Sequence, residues 1–196
     1  MPNSQRLDPI WSIVYRLVLL GLGIYAFAGG FSLIYFTTQS NLWVLAYLAL
    51  AVILSLCKSP ARWSRAMGFF QGACMVYISV TGLIYFTVLQ GALNSVQTGI
   101  LHLVIPVGFL VDWLLSAWKA PCRWIYVPFY LVYPILYLIW SIVTGIYPYF
   151  FLDWPALGIP VFVGWVAALI ALFTGLGLLY TWINHALEHR NKGPET

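Results

Sequence analysis

Apolar residues fall into six long blocks, at 10–30, 39–57, 66–90, 98–118, 125–145 and 160–184, separated by polar clusters or by Pro and Gly. A helix needs about 20 mainly apolar residues to cross a bilayer core, so each block predicts one membrane-spanning helix. The chain therefore reads as all-α: one polytopic domain over 1–196 with six transmembrane helices and no soluble linker longer than a loop.

Composition agrees with the pattern. The 196 residues are 62% hydrophobic and 7% charged, whereas soluble domains carry roughly a quarter charged residues. The formal charge of +4 is topological. All nine Lys and Arg residues lie at the termini, at 58–65, at 119–123, or at Arg16 in the first block, while 31–38, 91–97 and 146–159 contain none. The positive-inside rule then places both termini and the two basic connections in the cytoplasm, and leaves no case for nucleic acid. Ala26-Phe27-Ala28 imitates the end of a signal peptide, but the block at 10–30 is longer than a signal's apolar region of roughly 7–15 residues and reads as the first span. Cys57, Cys74 and Cys122 have neither metal-ligand nor redox spacing.

Polar positions inside the blocks are few and ordered. Thr37-Thr38-Gln39-Ser40-Asn41 sets five hydrogen-bonding side chains at the mouth of the second span, where hydrocarbon offers them no partner. Tyr126, Tyr130, Tyr133, Tyr137, Ser141 and Thr144 form one helical stripe in the fifth span, and Cys74, Tyr77, Thr81 and Tyr85 another in the third. Both stripes are expected to turn inward, lining a cavity or bonding helix to helix. Ala167, Ala171 and Gly175 make a small-residue ridge in the sixth span, read as helix packing.

Ionisable groups within the spans point to chemistry. His102 and Asp112 share the fourth span but stand about 15 Å apart along its axis, too far to pair. Pro106 removes the N–H that would bond the His102 carbonyl, which predicts a bend. Asp112 reads as structural, with Arg16 or the basic loops as partner. His185, Glu188 and His189 spell H-x-x-E-H, a zinc-protease pattern, but at the end of the last span they read as a solvated helix end; no metal or other cofactor is expected.

The chain resembles, in Tyr35-Phe36-Thr37-Thr38-Gln39-Ser40-Asn41-Leu42, in Ile78-Ser79-Val80-Thr81-Gly82, in 102–113 and in Tyr147-Pro148-Tyr149-Phe150-Phe151-Leu152-Asp153, a bacterial branch of the androgen-induced membrane hydrolases, which cleave fatty acid esters of hydroxy fatty acids. The resemblance implies an intramembrane threonine hydrolase of a lipid ester, working among membrane lipids in a bacterial inner membrane. Its nucleophile falls on Thr38 when aligned on Asn41-Leu42 and on Thr37 when aligned on Tyr35; Thr38 is preferred, with His102 as base. The physical reading is compatible: both lie near the outer side, and imidazole suits a base that activates a hydroxyl at neutral pH. Gln39, Ser40 or Asn41 would donate to an oxyanion, Asp153 would orient the imidazole, and Tyr77, Thr81, Tyr85, Tyr130, Tyr133, Tyr137 and Ser141 would line the cavity. The alternative is a non-enzymatic lipid-binding or transport bundle. Oligomeric state is left open.

Overall fold

The computed structural model describes residues 10–57, 64–115 and 121–191. Arg6, Lys58, Arg62, Lys119 and Lys192, part of the positive charge assigned to the cytoplasm, lie outside them. Six helices are long and apolar enough to cross a membrane: α1 (Ile10–Ala28), α2 (Phe36–Leu56), α3 (Ser64–Thr87), α4 (Val96–Leu115), α5 (Trp124–Thr144) and α6 (Ile159–Asn191). No strand occurs among the described residues. The protein is an integral multi-pass membrane protein of helices alone. The face carrying the connections 29–35, 88–95 and 145–158, which the charge rule assigns to the exterior, is called outer below.

α3 is the axis of the bundle, with 67% of its apolar window buried against 11% for α6. One core joins α1, α2, α3 and α4 through Leu19, Val44, Tyr47, Met75, Ile105 and Phe109; a second joins α3, α5, α6 and the outer connection through Val76, Tyr130, Tyr137, Phe151 and Phe173. Lipid tails are as apolar as leucine, so close packing rather than water exclusion holds such helices together. Glycine permits the closest approaches. A Cβ on Gly68 would sit 2.2 Å from the Pro121 carbonyl oxygen, and one on Gly72 2.1 Å from the Tyr130 hydroxyl.

The ion pair that ties α1 to α4 is buried. Arg16 Nε donates to both Asp112 oxygens, at 2.9 and 3.2 Å, with each side chain 1% exposed. This is the structural role expected for Asp112. The ridge Ala167, Ala171 and Gly175 differs from its expected role: it is exposed, and nothing in the bundle comes within 4 Å of a Cβ built on Gly175. α6 packs through the opposite face, which carries Phe173 and Gly177.

Two irregularities follow from proline. In α4, residues Ile100–Val104 form a π-helical turn, with the Ile105 N–H bonded to the Ile100 carbonyl. The next bond in that register would run from residue 106 to Leu101, and Pro106 has no N–H to give. The Asn41 side chain of α2 takes its place, Nδ2 donating to the Leu101 carbonyl at 3.1 Å. In α5, Trp124–Leu131 around Pro128 is a 3-10 helix before α-helix resumes over Val132–Thr144. α5 packs on α6 chiefly through this inner 3-10 half, and the outer halves of the two helices diverge.

Candidate functional site

α2 begins at Phe36, so Thr37 and Thr38 occupy its first turn. The first N–H groups of a helix have no partner within it. Tyr35, the capping residue, supplies no side-chain bond. Instead the Tyr149 hydroxyl, from the outer connection between α5 and α6, accepts from the Thr37 N–H at 3.2 Å and lies 3.3 Å from Thr37 Oγ1. Burial holds the Tyr149 phenol above the usual tyrosine range, although its bonds to Thr37 act the other way.

The rest of the polar run is committed to structure. Ser40 Oγ donates to the Thr37 carbonyl at 2.9 Å and lies 2.7 Å from Thr81 Oγ1. Ser40 has one proton, so Thr81 is the donor between them. Asn41 Nδ2 donates to the Thr37 carbonyl at 2.9 Å as well as to Leu101, while its Oδ1 is buried without a partner among the described residues. Gln39 bonds the Leu33 carbonyl and accepts from the Tyr133 hydroxyl.

Successive side chains of a helix diverge by about 100°. Thr37 and Thr38 consequently face different neighbours. Thr37 turns toward Tyr149 and the second core. Thr38, 6% exposed, shares its stripe with Leu45, which packs against Gly23 of α1. His102 stacks on Tyr85 of α3, with centroids 3.6 Å apart and planes at 11°, and its Nδ1 is buried without a partner. Among the described residues no hydrogen bond joins Thr38 to His102, and the face of the imidazole lies on the Tyr85 ring. Asp153 does not reach the imidazole either. Its Oδ1 accepts from the Ala156 N–H at 3.2 Å and caps the short turn Trp154–Leu157.

A cavity of about 100 Å³ lies on the Thr37 side. Its walls come from α3 (Val80, Ile84), α5 (Pro134, Leu138) and α6 (Val166, Leu169, Phe173), closed on the outer side by Phe151 and Leu152. Among the described residues the polar ones lining it are Thr37, Thr81, Tyr137 and Tyr149, and no charged side chain or histidine lines it. Tyr137 is already bonded to the Ile34 carbonyl, at 2.7 Å. On that scale a single water needs roughly 10–15 Å³, so the space greatly exceeds one solvent molecule.

The cavity opens sideways, where α5 and α6 part. Ile135 and Ile170, one on each rim, are 42% exposed. Tyr149, Phe151 and Trp165 stack over the outer end, with centroid separations of 5.3 and 5.5 Å.

Of the residues expected to line a cavity, Thr81 and Tyr137 do so. Tyr77 and Tyr133 pack on each other, and Tyr130 fills the gap left by Gly72. Tyr85 bonds the Ala92 carbonyl while stacking on His102, and Ser141 bonds the Ile146 carbonyl. These five are helix contacts, since their hydroxyls or rings are held by neighbouring backbone and rings. The residue that reading by stripes overlooked is Tyr149, which belongs to no helix. Its signal was the uncharged aromatic run Tyr147-Pro148-Tyr149-Phe150-Phe151. At the inner end His185 stacks on Trp124, and the side chains of Glu188 and His189 lie outside the described residues.

Fold and cavity together define a class: a six-helix membrane protein with an apolar chamber that opens between two of its helices. Comparison with protein-family models, with curated proteins and with solved structures finds no match to this chain in any of the three.

Proposed function

We propose that this protein binds a lipid, drawing its hydrocarbon chain from the outer leaflet between α5 and α6 into the chamber and setting the polar end against Thr37 and Tyr149. The observation that carries the reading is the apolar chamber with one hydroxyl-lined corner, open beside Ile135 and Ile170 and roofed by Tyr149 and Phe151. Apolar cavities stay dry and take apolar guests, and a few placed polar groups orient the guest. A radiolabelled single-chain lipid should bind the purified protein saturably in nanodiscs. Ile170→Trp, which places an indole in the mouth, should abolish that binding with the thermal unfolding temperature preserved. Binding unchanged by Ile170→Trp and by Ile135→Trp would refute this location.

A second reading is hydrolysis of a lipid ester by a threonine, the activity the resemblance implies. The feature favouring it is His102, on a π-helical turn with a buried ring nitrogen that no group engages; such turns are common at functional sites. Thr38 and His102 share no hydrogen bond among the described residues, and Thr37 has a tyrosine rather than a base beside it. Fatty acid release from an ester, lost in His102→Ala and in one of Thr37→Ala or Thr38→Ala, would establish it. Saturable binding without release leaves lipid binding alone.

A further inference from the structure

The chamber's oxygens and the charges around it bear on which lipid it accepts. We propose that the site selects an uncharged lipid, with an ester or alcohol oxygen as its polar group, and rejects lipids whose polar end is ionised; this rests on the lipid-binding reading above.

The first ground is the absence of a counter-charge. Among the lining residues only hydroxyls are polar: Thr37, Thr81, Tyr137 and Tyr149. The outer connections hold no Lys or Arg, so a carboxylate or phosphate drawn to this corner would lack a cationic partner. Their one charged residue, Asp153, follows the lining residue Leu152 but does not itself line the chamber. A cation fares no better within the chamber, because Asp153 is turned to the Ala156 N–H and is not among the lining residues. An ion without partner or water in such a place is strongly disfavoured.

The second ground is proton accounting. The Thr37 and Tyr149 hydroxyls have two protons between them, and one lies in their mutual bond. The Thr37 N–H uses one lone pair of the tyrosine oxygen. One hydroxyl proton is left over at this corner, whichever of the two donates. Thr81 has committed its proton to Ser40 and presents only lone pairs, and Tyr137 has committed its own to Ile34. The corner therefore offers one donor, with otherwise only the acceptor lone pairs of neutral hydroxyls. An ester carbonyl takes the donor, and a ligand hydroxyl satisfies Thr81. A carboxylate, with several lone pairs to satisfy and no proton to give, finds a single donor.

The test holds the chain constant and varies the head. Protein in nanodiscs is loaded with radiolabelled 1-monoolein, then challenged with oleyl alcohol, oleoyl-lysophosphatidylglycerol or oleyltrimethylammonium. Oleyl alcohol should displace the label at least about tenfold better than either charged probe, and Thr37→Val combined with Tyr149→Phe, which removes both hydroxyl protons of the corner, should weaken 1-monoolein several-fold. Equal displacement by a charged probe, with Ile170→Trp still blocking every ligand, would overturn the head-group selection and leave lipid binding intact. If 1-monoolein and all three competitors fail to bind, the lipid-binding reading itself falls.

Discussion

Asn41 on α2 donates to the carbonyl of Leu101 on α4, the group that Pro106 leaves without a backbone donor in the π turn. Asn41→Leu should destabilise the protein by about 1–3 kcal/mol, the range for stranding a buried carbonyl. Pro106→Ala returns an N–H to the helix. In that background Asn41→Leu should cost measurably less, so a double-mutant cycle on thermal or denaturant unfolding reads the coupling directly. Additive effects would show that Asn41 serves some other purpose.

The Arg16–Asp112 pair makes an asymmetric prediction. Removing one partner, as in Asp112→Leu, leaves an uncompensated buried charge and should destabilise by about 3–5 kcal/mol. The double variant Arg16→Met with Asp112→Leu should regain most of that loss, since neither charge then remains. Unfolding temperatures of the three variants in one detergent decide the matter.

Glycines at two depths separate packing from propensity. Gly68→Ala would drive a methyl to within 2.2 Å of a backbone oxygen that cannot turn aside, and should cost about 1–3 kcal/mol. Gly175→Ala meets nothing within 4 Å and should be neutral or slightly stabilising, because alanine suits a helix better than glycine. The same unfolding assay compares them.

Tyr149 serves as a distant cap for α2. Tyr149→Phe keeps the ring over Phe151 but removes the oxygen that receives the Thr37 N–H. Stability should fall by about 1 kcal/mol, typical of a lost helix-end bond. Amide exchange at Thr37 should accelerate while the centre of α2, around Val44 and Leu48, stays protected. Uniform loss of protection would mean the tyrosine supports the whole bundle instead.

The architecture was legible because hydrocarbon leaves helices little choice: length, apolarity and the placing of Lys and Arg predict six spans, and the described helices agree within about three residues, except that α6 runs on seven residues past its predicted end to Asn191. Stripe logic worked for Tyr130, Tyr137 and Ser141, which turn inward as their spacing implies, but not for Thr144 at the end of the same stripe, which is exposed and bonds the Trp140 carbonyl of its own helix. It failed to separate a chamber wall from a helix contact, since both look alike along one helix and only Thr81 and Tyr137 of the two stripes meet the open space. Pro106 announced a distortion near His102; which carbonyl lost its partner depended on the π register, which spacing does not reveal. Nor could sequence pair Tyr149 with Thr37, 112 positions away and reached only by the return of the chain over the outer face.

The parting of α5 from α6 has a consequence for any measurement of affinity. A guest that arrives through that gap comes from a two-dimensional solution, so the concentration governing occupancy is its mole fraction among neighbouring lipids. Diluting the proteoliposomes with buffer would leave occupancy unchanged, whereas diluting them with inert phospholipid would empty the chamber.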